Sequence, residues 1–534
     1  MTERAARLYN EWLQNAEGFS QALREMTEEE TEDAFYKDIE FGTGGLRGLM
    51  GAGTNRINLY TVAKASQGLA EYVKKNSAGN KSVAVGYDSR LNSYEFAKVA
   101  CEVFAANAIK AYMYPQLMPT PCLAYAVRKL KCFAGVVITA SHNPAEYNGY
   151  KVYNQDGCQI TNLTASEIFD EISKIDIFKD VKRKSFETAV NDGSVEYIAD
   201  SVYDSFIAEV KAHSVFSGNV NSRLKIVYTP LNGTGLKPVL RALAESGFTD
   251  VTVVKEQEAP DGNFPTCRYP NPEIEQAMQL GLEYARNNGA DLLLATDPDC
   301  DRLGVAVKDG KGGYRLLSGN ETGFLLLDFI CATRMEKQDI PKEAVMYKTI
   351  VTSSLGDKIA KSYGVKTLNV LTGFKFIGEQ IGLLEKDGKL ENFIFAFEES
   401  LGYLTGTYVR DKDAVGAALS VCDMAAYYKT QGITLYDKLN LLYEKHGRYV
   451  STLETQKFDG AKGFDEMREI MDKYRHAAEV DGRKIAEKVD YLQGVDGLPK
   501  SNVIKIVFED GSSMVVRPSG TEPKLKIYRS FKRG

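Results

Sequence analysis

The chain has 534 residues, too long for one domain, and a 44% hydrophobic content that can supply several separate cores. With 66 Lys and Arg against 72 Asp and Glu, its formal charge of -6 provides no whole-molecule positive field for a nucleic-acid backbone. General disorder is excluded by the same composition, and a small molecule is the expected partner.

In chain order, the segment after Met1-Thr2-Glu3-Arg4 lacks the apolar core of a signal peptide. No later stretch reaches about 18 uninterrupted apolar residues, so a cytoplasmic protein without membrane contact is expected. Leu8, Trp12, Phe19 and Leu23 among many charges predict an N-terminal helical arm over 1–40. Short apolar runs then alternate with amphipathic stretches: Ser82 to Gly86, a helix near 94 to 108, and Phe133 to Ile138. This rhythm restarts at Leu224 to Tyr228 and at Ala344 to Tyr347. The predicted fold class is α/β: three consecutive α/β domains with mixed, largely parallel sheets over 41–210, 211–320 and 321–445. From 446 to 534, the runs at Tyr449 to Leu453, Asn502 to Val507 and Ser513 to Val516 around one helix predict a smaller C-terminal α+β domain. The eight cysteines are scattered, without a CxxC pair, and read as buried hydrophobes. His213, His446 and His476 sit in polar helical context, where helix ends are the default place.

Thr139-Ala140-Ser141-His142-Asn143-Pro144 directly follows an apolar strand, which puts Ser141 at the carboxyl end where open α/β sheets hold ligands. A serine next to a histidine is common, and a cap or turn is the plain alternative. Thr296-Asp297-Pro298-Asp299-Cys300-Asp301-Arg302 is more informative, because in extended geometry its three carboxylates point one way. Three such charges repel unless a cation joins them, and all-oxygen ligation by few residues suits Mg²⁺. Removing one carboxylate is accordingly expected to relieve repulsion in the ion-free fold. An EF-hand is excluded, since its Gly would be Arg302 and its last Glu would be Lys308.

Four further clusters suit anions. Phe41-Gly42-Thr43-Gly44-Gly45-Leu46-Arg47-Gly48 and Arg517-Pro518-Ser519-Gly520-Thr521-Glu522-Pro523-Lys524 offer free backbone donors beside a guanidinium. Leu371-Thr372-Gly373-Phe374-Lys375 and Tyr408-Val409-Arg410-Asp411-Lys412-Asp413 add cations on either side of Phe397-Glu398-Glu399-Ser400. A Walker loop and a GxSxG elbow are both missing.

A serine at a strand end, a carboxylate metal site and phosphate-type clamps are phosphoryl-transfer equipment. In this order, from about residue 40 to the end, these loops resemble the α-D-phosphohexomutase family, the phosphoglucomutases and phosphomannomutases. The resemblance implies a central cleft, with Ser141 carried as phosphoserine and Asp297, Asp299 and Asp301 holding Mg²⁺ with a phosphoserine oxygen. It further implies that Arg302, Lys151 and Arg47 line the centre and that His142 and Lys412 move protons. Gly373, Phe374, Lys375, Glu398, Ser400 and Arg410 fall to the substrate, and Arg517, Ser519, Gly520 and Thr521 to the phosphate that does not react. The implied activity is an intramolecular phosphotransfer between glucose 1-phosphate and glucose 6-phosphate, primed by glucose 1,6-bisphosphate, in a monomer or dimer.

One departure stands out: Phe397 occupies a position where the family usually has Gly, as in the longer branch with phosphopentomutases and glucose-1,6-bisphosphate synthases. A bulky ring there could shrink the pocket toward a pentose, so a phosphopentomutase or phosphomannomutase is the alternative. A non-catalytic phosphosugar-binding paralogue is the alternative of another class, disfavoured because Ser141 and all three aspartates are retained.

Overall fold

The computed structural model describes residues 1–42, 44–216, 224–458, 460–495, 497–518 and 524–533. Its first sheet has seven strands in the spatial order Phe41–Gly42, Gly45–Leu49, Tyr147–Asn154, Ala134–Ile138, Ser82–Tyr87, Lys110–Met113 and Val195–Tyr197. The inner strands from Ala134–Ile138 onward pair in parallel, whereas Tyr147–Asn154 returns antiparallel. That return places Lys151 opposite both Gly45 and Val137, so the Arg47 hairpin and the serine loop share one sheet edge.

A second sheet sets Ile226–Thr229 between Val251–Val253 and Leu292–Thr296 in parallel, then continues antiparallel through Leu303–Lys308 and Tyr314–Leu317. Lys366–Val370, Val345–Thr349, Phe393–Glu398 and Gly402–Leu404 form a third sheet, its last pair antiparallel. The fourth is antiparallel throughout and crossed by one helix, Gly460–His476. Fully buried strands such as Ala134–Ile138 and Leu292–Thr296 are continuous apolar runs because helices cover both faces of their sheets.

The largest apolar core is continuous through the first three units and reaches the fourth, taking in Tyr114, Phe206, Tyr228, Phe324, Tyr403 and Val515. Helices Glu3–Asn15, Ser20–Glu25 and Glu28–Phe35 form the arm. Trp12 anchors it edge-on against Phe35, Tyr60 and Phe178 at 5.8, 5.5 and 5.7 Å. All eight cysteines are buried and unpaired, and the three helical histidines lie at the ends of their helices.

Asp423 sits inside this core on helix Ala414–Thr430, where Ser214 Oγ donates to its Oδ2 at 2.6 Å. Burial raises its pKa to about 7 from an ordinary 3.8. The unfolded chain therefore ionises before the folded one, and stability falls as pH rises between those values. Asp423→Asn is expected to melt higher than the parent at pH 8, with the gap narrowing toward pH 4. Thermal unfolding across that range checks this, and a gap independent of pH counts against it.

Candidate active site

The serine loop leaves strand Ala134–Ile138 at its carboxyl end. Ser141 is buried and has φ +52°, a left-handed backbone uncommon for a residue with a Cβ. Its N–H donates to Thr139 Oγ1 at 2.8 Å, and its Oγ lies 2.9 Å from Asp297 Oδ2 and 3.1 Å from His142 Nδ1. The carboxylate cluster comes from the loop between Leu292–Thr296 and Leu303–Lys308. Its residues converge through a tight turn and not in extended geometry: Cys300 N–H donates to the Asp297 carbonyl at 2.8 Å, and Cys300 has φ +52°. That turn corrects the extended arrangement expected from the alternation of aspartates, because the strand ends at Thr296.

Asp297, Asp299 and Asp301 are all buried, with one oxygen of each within 4.8 Å of the others. Lys151 Nζ lies 2.7 Å from Asp299 Oδ2 and 3.4 Å from Asp301 Oδ2, and Lys412 Nζ lies 3.2 Å from Asp301 Oδ2. Among the described residues, Asp299 Oδ1 and Asp301 Oδ1 are buried and meet no hydrogen-bond partner. Such orphaned oxygens are costly unless something else meets them, and an all-oxygen set of this kind fits Mg²⁺.

The charges divide by environment. Burial works against ionised Asp299, yet Lys151 outweighs it and holds the carboxyl below its ordinary range. Burial and the two neighbouring carboxylates push Asp297 well above that range. Lys412 is raised despite burial, by Asp301 and Asp411, so it is an ammonium. His142 is lowered by burial and by Arg302 and Arg47, so its imidazole is neutral.

Around this centre, Arg47 Nη1 donates to Asn143 Oδ1 at 3.1 Å, and Arg302 lies between Asp301 and Glu273 at 3.9 and 3.8 Å. Glu398 is buried and sensed by Lys412 and Arg302, with the Ser400 hydroxyl on its carboxyl. Gly402 lies tight against this pair, since a Cβ would meet Lys412 Cδ at 2.3 Å and Glu398 Cγ at 2.9 Å and displace one of them. Gly373, with φ +118°, opens helix Phe374–Lys386, and the Phe374 ring lies 5.8 Å from Lys412 Nζ. Lys375 donates to Asn162 Oδ1 at 3.1 Å, and burial together with the Arg517 charge lowers its pKa to about 8. Ser519, Gly520 and Thr521 lie outside the described residues.

Two expectations change. Arg410 does not face the centre: its buried guanidinium donates to the Thr407 and Val409 carbonyls and to Glu385 Oε2 at 2.9 Å, and Glu385 also pairs with Arg128 at 2.7 Å. A buried guanidinium needs acceptors, and these carbonyls and Glu385 supply them. The Phe397 ring packs into the interior. It is fully buried in the third unit, where a Cβ on Gly323 would meet it at 2.2 Å and one on Gly356 at 3.2 Å. Small residues on two helices make room for the ring.

Several neighbours escaped the sequence reading. Thr120 donates to Asp299 through its backbone N–H and its Oγ1, both at 2.9 Å, from the start of helix Thr120–Lys129. Asp88 and Arg90 follow strand Ser82–Tyr87, the same carboxyl-end position that singled out Ser141, and could have been found by the same argument. Glu273 carries no local signal.

Fold and site together define a multidomain α/β enzyme with a buried carboxylate centre. Models of phosphoglucomutase/phosphomannomutase alpha/beta/alpha domains I, II and III match residues 38–178, 204–312 and 318–446, and that of the C-terminal domain matches 462–529. The chain is 35% identical to a phosphoglucomutase of Staphylococcus saprophyticus, covering 97% of this chain and 96% of that one. With a phosphoglucomutase of Staphylococcus aureus strain USA300 it shares 36% identity, over 94% and 91% of the two chains. Its fold resembles that of a phosphoglucomutase/phosphomannomutase family protein from Burkholderia thailandensis, with a TM-score of 0.70 at 19% identity over 92% and 93% of the chains. The open form of the Paramecium phosphoprotein parafusin gives 0.69 at 20% identity, over 93% and 91%. The chain belongs to the phosphoglucomutase/phosphomannomutase family.

Proposed function

We propose that the protein interconverts glucose 1-phosphate and glucose 6-phosphate, with Ser141 as the phosphoryl carrier and glucose 1,6-bisphosphate as intermediate and primer. The observation that carries this reading is the Ser141 hydroxyl aimed at Asp297, 2.9 Å away, on the rim of three buried carboxylates. Phosphoserine passes its phosphoryl group to the free hydroxyl of the sugar monophosphate: the serine O–P bond breaks, the sugar O–P bond forms, and the proton lost by the sugar hydroxyl is balanced by one taken up at the freed serine oxygen. His142, with Nδ1 3.1 Å from Ser141 Oγ, is placed to exchange the serine's proton as that oxygen leaves and later attacks, while Lys412 contributes positive charge. The bisphosphate then turns over, and its other phosphate returns to Ser141. Asp297, Asp299 and Asp301 would hold Mg²⁺, which when bound neutralises charge on the transferring group. Arg517 and Lys375 would grip the phosphate that does not react, a guanidinium and an ammonium brought close enough to lower the lysine.

Glucose is favoured over a pentose because Glu398 and Ser400 are both present and the Phe397 ring is spent on the core. A site that pairs ring hydroxyls rejects analogues that leave its polar groups unmatched, by up to ~10⁴-fold. A coupled assay with a trace of bisphosphate should rank glucose 1-phosphate above mannose 1-phosphate and both above ribose 1-phosphate in kcat/KM. Preference for ribose 1-phosphate overturns the sugar assignment and leaves the phosphoserine chemistry standing.

A further inference from the structure

Asp88-Ser89-Arg90 is the first turn beyond strand Ser82–Tyr87. The Arg90 side chain is fully buried, and its hydrogen bonds all go to backbone carbonyls of the serine loop. Nη1 donates to Pro144 at 2.8 Å and to Tyr147 at 3.0 Å, while Nη2 donates to Ser141 at 2.5 Å and to Asn143. Only a planar, forked cation can meet four acceptors in this way; an ammonium on a flexible stem cannot. Asp88 answers the charge from 3.4 Å and is itself fixed by Arg90 N–H and Ser93 Oγ, at 2.9 and 2.8 Å.

The other side of the guanidinium belongs to the second α/β unit. The Phe264 ring covers it at 5.0 Å, and Phe264 has φ +47°. Two residues earlier, Gly262 lies so close to the Arg90 turn that a Cβ would meet Leu91 N at 2.4 Å and both Ser89 O and Arg90 C at 2.8 Å. The turn is thus packed between the serine loop and a loop of the unit that carries the aspartates.

We propose that Arg90 is the positioning residue that sets the carrier serine: it fastens the loop in the left-handed conformation that aims Ser141 Oγ at Asp297, from a joint between the serine-bearing and aspartate-bearing units. This rests on the mutase reading above. A left-handed serine persists only where its surroundings over-determine it. Its carbonyl is held by Arg90 and its N–H by Thr139, which accounts for both ends of the residue. Arg90 acts through the loop and not on the sugar, so its loss should be felt in the chemical step and not in substrate capture.

Arg90→Lys keeps the charge beside Asp88 but cannot span the four carbonyls. It is expected to lower kcat by roughly 100-fold, the scale of an ångström-sized misplacement, with KM for glucose 1-phosphate within about threefold. Gly262→Ala presses on the turn from the other unit without touching the serine loop, and it serves if Arg90→Lys does not fold. It should lower kcat about tenfold with KM preserved, and in the double variant the losses should not add, since both act on one element. Phosphorylation of Ser141 by glucose 1,6-bisphosphate, followed by intact mass, should slow in each. Parental kcat in Arg90→Lys, or a loss seen in KM alone, overturns the assignment of Arg90. Parental kcat in Gly262→Ala beside an impaired Arg90→Lys overturns the joint between units. A parent that is active but takes no phosphate on Ser141 overturns the mutase reading instead.

Discussion

Ser141→Ala is expected to lose turnover by about 10⁴-fold or more, because the covalent carrier has no substitute among its neighbours. His142 at 3.1 Å could hold a proton, and the aspartates could still bind a cation, but neither replaces the oxygen that receives the phosphoryl group. The fold should survive. Alanine has the same Cβ as serine in the left-handed backbone at φ +52°, and the backbone of residue 141 keeps its bonds to Arg90 and Thr139. The lost bond to Asp297 is worth about 1 kcal/mol. Incubation with glucose 1,6-bisphosphate should add one phosphate to the parent and none to the variant, read by intact mass. Parental turnover in Ser141→Ala would refute the phosphoserine route.

Much of the site was legible because chemistry-bearing residues lie immediately after buried apolar strands. Val136-Val137-Ile138 ahead of Ser141 and Leu292-Leu293-Leu294 ahead of Asp297 mark strand ends, and the sheets follow those runs within a residue or two. Alternation of aspartates gave the right cluster for the wrong geometric reason, since the chain bends at Cys300 where a strand was expected to run on. Side-chain direction was not legible. Arg410 and Phe397 stand beside the site residues in sequence, but one turns to Glu385 and the other into a space kept open by Gly323 and Gly356. Those partners lie far along the chain, and no local pattern names them. The strand-end argument reaches the position of Arg90 but not its role, which lies in four carbonyls some fifty residues away.

Activity should vanish with a chelator and return with Mg²⁺, and Asp299→Asn should cut kcat/KM by about 10²-fold or more while raising the Mg²⁺ concentration needed. The same substitution distinguishes two accounts of the ion-free fold. Repulsion among the carboxylates alone predicts that removing one stabilises it. The structure instead surrounds them with cations: Lys151 lies 2.7 Å from Asp299, and Thr120 donates to the same oxygen at 2.9 Å. Asp299 is therefore held below its ordinary range, and a carboxyl depressed by folding adds stability above its unfolded pKa that is lost as pH falls. Asn at this position leaves Lys151, among the described residues, with Asp301 at 3.4 Å as its one carboxylate partner. In metal-free buffer at pH 7, Asp299→Asn should accordingly melt below the parent, with the difference starting to narrow once the buffer is acidified below the ordinary carboxyl pKa. A variant that melts higher at neutral pH would show that repulsion within the cluster outweighs its lysine, and the two ammonium groups would then have to be read as ligand contacts and not as counter-charges.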